Sequence, residues 1–194
     1  MRTWDTTRSI SRSDTTCAFS HFPAACAPVH PTPACAAAAL LAPPDIAIEH
    51  YDAIGALPHF NPDFEDALPA SVVHLRERVH RAEGLLISCP EYARCIPGSF
   101  KNALDWLVGN PLFPGKPVAL FNTSPRTSAA QDAPKLVLQT MSAVLVTDAC
   151  ITLALLGKKE TSAHDIAADF ESAALLKRAL DAMAEHVSAH PRQW

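Results

Sequence analysis

The sequence contains neither a long apolar run nor a large excess of charge of either sign. No apolar stretch is long enough to span a bilayer, which excludes a transmembrane helix. The formal net charge of −4 provides no basic surface for nucleic acid or for an anionic membrane. Residues 1–5 lead into no apolar signal core, so we expect a cytoplasmic protein with neither nucleic acid nor membrane as a partner.

The sequence also lacks closely spaced pairs of cysteines. The six cysteines form no Cys-x-x-Cys pair, and no group of cysteines and histidines has the spacing of a zinc site. We therefore expect free thiols in a reduced compartment and no bound metal. A metal site of Cys26, His30 and Cys35 is an alternative, and its irregular spacing makes it the weakest hypothesis.

Glycine is scarce, and none precedes Gly55. The stretch PAACAPVHPTPAC, residues 23–35, instead has four prolines and two cysteines. Because proline lacks a backbone N–H and fixes φ, these prolines oppose both a central strand and a continuous helix. We expect residues 1–40 to be an aberrant or disordered segment and residues 41–194 to be a domain.

Beyond residue 45 the chain alternates between strand and helix patterns. The patterns predict strands over residues 46–51, 84–89, 117–121 and 144–152, and helices over residues 71–82, 98–108, 129–143 and 165–190, the last as one helix or two. In the helix over 71–82, Val72, Leu75 and Val79 share the buried face. Strands that alternate with helices imply an α/β fold with a parallel sheet.

Two loops that follow apolar strands are candidates for a binding site, because ligands of such sheets bind at the carboxyl ends of strands. The first, residues 90–98, has an aromatic ring, an acid and several backbone amides ahead of a proline–glycine turn. This combination suits a planar, electron-rich ligand on which Tyr92 stacks. An ordinary strand-to-helix turn with a solvated Glu91 is the alternative. The second loop covers residues 122–128.

The sequence LLISCPEYARCIPGSFKNALDWL, residues 85–107, closely resembles the signature of the NAD(P)H-dependent FMN reductase family. This flavodoxin-like group includes quinone, chromate and azo-dye reductases. The sequences LPHFNPDFE, residues 57–65, and GKPVALFNTSP, residues 115–125, resemble further parts of the family pattern. The resemblance implies a flavodoxin-like three-layer sandwich around a parallel sheet of strand order 2-1-3-4-5.

The resemblance also implies a function. FMN would take a hydride from NADPH or NADH at its N5 atom and reduce a small-molecule electron acceptor, such as a quinone or free flavin. It implies a homodimer or homotetramer with the helix of Lys101, Asp105 and Trp106 near the interface, and neither a catalytic side chain nor a metal. The residues that it implies for FMN binding are Pro90, Glu91, Tyr92, Ala93, Arg94, Ser124, Pro125, Arg126 and Thr127.

The sequence departs from the family pattern in both flavin loops and at the phosphate loop. Ala93 replaces an asparagine, and the second loop lacks its usual glycines, so that Arg126 either faces the flavin or is a solvated cation. The phosphate loop Gly-Ser-x-Arg-x-x-Ser-x-Asn, expected to begin near Pro23, is missing. Its absence predicts poor FMN binding and a corrupted first strand that is lost from the centre of the sheet.

A frameshift would explain the missing phosphate loop. With permissible codons, residues 23–35 read two bases later spell Gly-Ser-Leu-Arg-Ala-Gly-Ser-Ser-Asn at the place where the family has this loop. We hypothesise that the N-terminal segment is a frame-shifted FMN-reductase N-terminus. The alternative is a genuine extension rich in proline, alanine and cysteine.

A second function remains open: a non-catalytic, flavodoxin-like remnant without bound flavin. Flavin content distinguishes it from the reductase. Phe100 and Trp106 have apolar spacing on the helix that follows the first loop, so we expect them in the core or in a subunit interface rather than on a substrate.

Overall fold

The computed structural model describes residues 17–23, 32–89, 95–123, 129–155 and 162–191. The strands are β1 (Cys17–Pro23), β2 (Ile46–His50), β3 (Gly84–Ser88), β4 (Pro117–Asn122), β5 (Val144–Leu145) and β6 (Ile151–Thr152). The α-helices are α1 (Pro33–Leu41), α2 (Ala70–Arg81), α3 (Gly98–Val108), α4 (Ala129–Thr140), α5 (Ala163–Ala168) and α6 (Phe170–Ala189). Across the described ranges, no helix combines the length and the apolar character that a membrane crossing requires.

The strands form one sheet of order β2-β1-β3-β4-β5, and β6 also pairs with β4. Every pairing is parallel. This is the strand order that the resemblance to the family implies. The chain leaves β1 toward β2 on one side and then crosses to β3 on the other, so the direction of winding reverses beside β1.

Strand β1 occupies the centre of the sheet, and the prediction that this strand is lost is therefore wrong. Its backbone pairs with β2 from Cys17 opposite Ile46, and with β3 up to Pro23 opposite Ser88. The prolines of the segment begin only at Pro23, which is the last residue of the strand. The six residues before it keep every N–H group that the two ladders use.

Helix α1 crosses the boundary predicted at residue 40 and packs into the core. It begins at Pro33, where a proline is tolerated because the first N–H groups of a helix have no intrahelical partner. Its buried residues are Ala34, Cys35, Ala37 and Ala38. The division of the chain into residues 1–40 and 41–194 stays a prediction.

The sheet has a hydrophobic core on each face, which gives the three layers. Along β3, Leu85 and Ile87 pack with α2 and α3, whereas Leu86 packs with α1 and α6. The alternation follows from the two-residue period of a strand, and it explains why β3 is apolar throughout. The predicted face of α2 is confirmed, because Val72, Leu75 and Val79 are all buried in the core that α2 and α3 share with the sheet.

The last predicted strand is broken in two. Thr147–Ala149 forms a 3-10 turn between β5 and β6, which pair with different parts of β4. In the gap, the backbone N–H of Leu120 donates to the Sγ atom of Cys150 at 3.4 Å. The C-terminal pattern similarly resolves into two helices, α5 and α6, because the Asp169 side chain accepts a hydrogen bond from the Ser172 N–H and caps a new helix.

Candidate functional site

The carboxyl ends of β1, β3 and β4 lie side by side at one edge of the sheet. Pro23 is opposite Ser88, and Ser88 is opposite Phe121. The winding reverses between β1 and β3, so the crossover connections diverge here. Ligands of open α/β sheets bind in the crevice that such a reversal creates. Both candidate loops leave the sheet at this edge, after Ser88 and after Asn122.

The residues that the sequence implies for FMN binding lie outside the described residues: Pro90, Glu91, Tyr92, Ala93, Arg94, Ser124, Pro125, Arg126 and Thr127. The structure describes the residues on either side of both loops. The first loop returns at Cys95 and leads into α3 at Gly98, and the second leads into α4 at Ala129. The structure thus brings the beginnings of the two loops to neighbouring strand ends, while the role of each residue stays a prediction.

Asn102, on the first turns of α3, holds a segment that comes from beyond β2. Its Oδ1 atom accepts a hydrogen bond from the Phe60 N–H at 2.7 Å, and its Nδ2 group donates to the Pro58 carbonyl at 2.9 Å. The amide side chain therefore pairs with one backbone donor and one backbone acceptor of residues 58–60. We call this arrangement the Asn102 clamp.

Trp106 strengthens the clamp from one helical turn farther along α3. Its Nε1–H donates to the same Pro58 carbonyl at 2.8 Å, and its ring is fully buried. The Phe60 ring meets it edge to face, with 5.0 Å between centroids and an interplanar angle of 76°. The sequence predicts Trp106 and Phe100 in the core or in a subunit interface, and their burial within this chain places both in the core.

Arg76 ties the acidic part of the same loop to the other end of α3. Its Nε–H donates to the Trp106 carbonyl at 2.9 Å, and its Nη2 group lies 3.1 Å from Oε1 of Glu65. The arginine thereby satisfies a carbonyl near the helix C-terminus. A Cβ atom at Gly109 would lie 3.1 Å from Oε1 of Glu65, so glycine leaves room for this carboxylate.

The exposed side of α3 carries an ion pair between Lys101 and Asp105, one helical turn apart. The resemblance implies that both residues lie near a subunit interface. The two side chains are partly exposed to solvent within this chain, in contrast to Trp106. The signature residues therefore divide into Asn102 and Trp106, which bind another part of the chain, and a charged pair that stays at the surface.

The N-terminus of α1 lies where the chain returns from β1 toward the core. Thr32 precedes the helix, its hydroxyl oxygen is buried, and its side chain accepts no hydrogen bond from the helix backbone. Pro33 removes one N–H group from the first turn. This helix terminus offers a positive dipole end to an anion, with fewer donors than a glycine- and serine-rich loop provides.

Of the thiols near the site, that of Cys35 is buried, that of Cys89 is partly buried and that of Cys95 is exposed. Complete burial raises the pKa of Cys35 to about 12, and burial followed by the neighbouring Cys95 raises the pKa of Cys89 to about 12. A metal ligand must be a thiolate, so the environment of Cys35 disfavours the metal site considered from the sequence. Cys26 and His30 lie outside the described residues.

Sequence reasoning missed the roles of Asn102 and Arg76. The signal for Asn102 was its one-turn spacing from Trp106, which places both polar groups on one side of α3. That spacing does not reveal the partners, because Phe60 and Pro58 are 42 and 44 residues away along the chain.

Comparison with known proteins gives a family and several relatives. The family model for NADPH-dependent FMN reductase matches residues 30–154, which is more than half of the chain. A 2-hydroxy-1,4-benzoquinone reductase of Burkholderia sp is 41% identical over 91 residues, which cover 45% of this chain and 49% of that protein. A quinone reductase of Escherichia coli (strain K12) is 36% identical over 88 residues, covering 43% of this chain and 47% of that protein. The matched part spans about half the length of these curated relatives.

Solved structures share the fold. FerB, a flavoenzyme NAD(P)H:(acceptor) oxidoreductase from Paracoccus denitrificans, superimposes with a TM-score of 0.74 at 26% identity, over 89% of this chain and 97% of that one. Oxidised flavodoxin 1 of Bacillus cereus superimposes with a TM-score of 0.51 at 18% identity, over 90% of this chain and 99% of that one. The second likeness shows a flavodoxin-like fold alone.

Proposed function

Because the chain belongs to the NADPH-dependent FMN reductase family, we propose that it is a flavoenzyme. In this proposal the chain binds FMN and uses NADPH or NADH to reduce a small-molecule acceptor of the quinone class. The names of the relatives from Burkholderia and Escherichia coli support that acceptor class. The name of FerB supports the pairing of a flavin with NAD(P)H.

The observation that carries the proposal is the position of the two loops. Both leave the sheet at the crevice beside β1 and β3, where a planar ligand can contact two strand ends at once. The backbone amides of residues 90–94 would hold the ring carbonyls and nitrogens, and Tyr92 would pack beside the ring. FMN supplies the hydride chemistry when bound, so the chain needs only to bind, orient and enclose it.

The described residues fit the ring half of FMN better than its phosphate half. At the ring half, the Asn102 clamp fixes the wall next to the first loop. At the phosphate half, the α1 N-terminus and the buried Thr32 hydroxyl are present. Residues 24–31 contain no glycine, serine or threonine, and so provide none of the hydroxyl donors that the family uses there. We therefore propose weak binding of FMN.

The test is a titration of the purified chain with FMN, followed by flavin fluorescence, together with Tyr92→Ala and a control. Loss of the ring contact should weaken FMN binding by up to about tenfold, because one aromatic contact contributes roughly 0.5–1.5 kcal/mol. The control, His80→Ala, removes an aromatic ring at the end of α2, at the opposite edge of the sheet. It should leave the affinity unchanged.

Two outcomes would contradict the assignment at different levels. If FMN binds and Tyr92→Ala leaves its affinity unaltered, the ring site is elsewhere. If the wild-type chain is folded and binds no FMN at all, the flavoenzyme proposal fails. The second candidate function, a flavodoxin-like remnant without flavin, would then replace it. The lack of a hydroxyl-rich segment before Thr32 favours that candidate.

We also propose that the chain is a homodimer or homotetramer of the cytoplasm. Helix α3 supports the oligomer, since it exposes Val108 and the Lys101–Asp105 pair while Trp106 is committed to the core. A sedimentation coefficient of a monomer at micromolar concentration would contradict this proposal.

The frameshift stays a proposal about the gene. The family match begins at residue 30, after most of the segment in question. The coding DNA decides the matter: it must spell the Gly-Ser-Leu-Arg-Ala-Gly-Ser-Ser-Asn loop in the second frame. If it does not, residues 1–40 are a genuine N-terminal segment rich in proline, alanine and cysteine.

A further inference from the structure

We propose that Cys89 and Cys95 form a dithiol that a quinone oxidises to an intramolecular disulfide. The two cysteines stand on either side of the first candidate loop, and neither belongs to the residues that the sequence implies for FMN binding. The proposal takes its oxidant from the proposed function, whose acceptor is of the quinone class, and it rests on that function in this respect.

The chain leaves one hydrophobic core at Cys89 and returns to the same core beside Cys95. Cys89 follows the last residue of β3 and packs against the core that α2 and α3 share with the sheet. Ile96, the residue after Cys95, packs against that same core immediately before the start of α3. The packing of the two ends of this connection therefore brings both cysteines to the same side of the sheet, near the carboxyl end of β3.

The two thiols also interact electrostatically. Burial raises the pKa of Cys89 to about 12, and the neighbouring Cys95 contributes to that rise. An interaction of this kind requires proximity, because salt screens charges that lie more than about 10 Å apart. It agrees with the packing on the shared core, which is the geometric observation that places the two residues together.

The two thiols differ in exposure in the way that suits an oxidisable pair. Cys95 is exposed, whereas Cys89 is partly buried. A dissolved oxidant reaches the exposed thiol first, and a neighbouring thiol then resolves the bond that has formed. Cys35 suits neither role, because it is completely buried in the core on the other face of the sheet.

The electron balance of the step requires nothing besides the quinone. The Cys95 sulfur, as a thiolate, adds to a ring carbon and forms a C–S bond, and an electron pair of the ring moves to a quinone oxygen. The Cys89 sulfur then attacks the Cys95 sulfur, which forms the S–S bond and breaks the C–S bond. The pair loses two electrons and two protons, and the quinone gains them and leaves as hydroquinone.

The test uses tetramethyl-1,4-benzoquinone, whose ring carbons beside the carbonyls are all substituted, so that a stable aryl thioether does not form. The purified chain is incubated with this quinone in the absence of NADPH, and the remaining thiols are blocked with iodoacetamide. It is then denatured and digested without reductant. The oxidised sample is compared with one that is treated with dithiothreitol before the blocking step.

The sequence makes the readout direct. Trypsin cleaves after Arg94 and so places the two cysteines on separate peptides, residues 82–94 and 95–101. After treatment with the quinone, mass spectrometry should find these two peptides joined, with the loss of the mass of two hydrogen atoms. After dithiothreitol they should be separate, because a disulfide is reversible and an aryl adduct is not.

Two variants complete the experiment. Cys95→Ser removes the exposed thiol and should abolish the joined peptides. The matched control is Cys150→Ser, which removes another partly exposed thiol from the gap between β5 and β6. Serine keeps an acceptor for the Leu120 N–H in that gap, so this variant should yield the joined peptides at the level of the wild-type chain.

The outcomes separate this proposal from the one on which it rests. Peptides that stay separate in the folded wild-type chain would overturn the dithiol, and so would Cys95 joined to a different cysteine or to a second molecule. Joined peptides in a chain that binds no FMN would support the dithiol and refute the proposed function. A chain that reduces quinones with NADPH but forms no joined peptides would refute the dithiol alone.

Discussion

Two strand–loop–helix units lie next to each other at the centre of the sheet, and they are stabilised in different ways. The β3–α3 unit buries large side chains, among them Phe100 and Trp106, and is tied to other parts of the chain through Asn102 and Arg76. In the β1–α1 unit, the side chains that the helix buries are small. The Thr32 side chain makes no capping hydrogen bond to α1, and neither the first nor the last turn of this helix carries a charge that complements the helix dipole.

The comparison of the two units shows that a central strand and a phosphate-binding site depend on different groups of the chain. Strand β1 pairs with both neighbours through backbone groups that every residue except proline possesses, so an unrelated sequence can hold the central position. Recognition of a phosphate needs several N–H and hydroxyl donors at fixed places. The β1–α1 unit therefore keeps its place in the fold, while we expect it to have lost the anchor for the cofactor.

The largest effect should come from restoring that anchor. We would replace residues 15–31 by Asp-Leu-Arg-Ile-Leu-Ala-Leu-Pro-Gly-Ser-Leu-Arg-Ala-Gly-Ser-Ser-Asn. The change adds several charge-assisted hydrogen bonds of roughly 1.5–3 kcal/mol each, so FMN affinity should rise by at least about a thousandfold. Isothermal titration with FMN measures it, and the replaced chain should purify yellow.

A control for this replacement changes Ser11, Arg12 and Ser13 to alanine, since these residues are the nearest upstream echo of the phosphate loop. It should leave FMN affinity where it is. Equal flavin content and equal turnover in the original and replaced chains would contradict the expectation that the β1–α1 unit has lost its phosphate anchor. They would mean that the present β1–α1 unit anchors the phosphate by other groups.

The next effect concerns the stability of the β3–α3 unit. Trp106→Ala removes a fully buried ring and its hydrogen bond to Pro58, so the free energy of unfolding should fall by about 3–5 kcal/mol. Trp106→Phe keeps an aromatic ring and loses the N–H, and should cost less. In the neighbouring unit, Ala37→Gly should cost only about 1 kcal/mol. Urea denaturation followed by circular dichroism ranks the three variants by their loss of stability. A larger loss for Ala37→Gly than for Trp106→Ala would contradict the proposed difference between the two units.

The smallest effect should be seen in the pH dependence of stability, to which a buried thiol of α1 contributes. Burial raises the pKa of Cys35 from the ordinary 9.0 to about 12 in the folded chain. The unfolded chain thus loses this proton first, and the stability that the neutral thiol provides is lost as pH rises from 9.0 toward about 12. Cys35→Ala should decrease the slope of stability against pH above 9.0. Below pH 9.0 the thiol is protonated in both states, so the stability curves of wild type and variant should run parallel there, which is the internal control.

How much of this could be predicted depends on the range of the interactions involved. The bounds of α3 follow from Pro97-Gly98 at its start and Gly109 at its end, and the apolar runs of β3 and β4 locate both strands to within a residue. These are local signals. The Asn102 clamp depends on contacts more than forty residues away, which no local pattern contains.

The error at β1 has a different origin. The prolines counted over residues 23–35 oppose a strand there, but β1 occupies Cys17–Pro23 and meets only the first of them, at its last residue. Its position is determined by β2 and β3, which offer two facing rows of backbone groups whatever the intervening side chains are. Tertiary pairing thus overrides a local expectation, and only the fold as a whole contains that information.

The interrupted border formed by β5 and β6 affects how copies of the chain can meet. An uninterrupted outer strand would present a continuous row of N–H and C=O groups, on which a strand from another molecule could assemble. Here two strands of two residues each are separated by a 3-10 turn, and a cysteine sulfur accepts the N–H that falls in the gap. Within the part of this border that the structure describes, the row is therefore not continuous. Such a border is a poor template for the extension of the sheet from one molecule to the next.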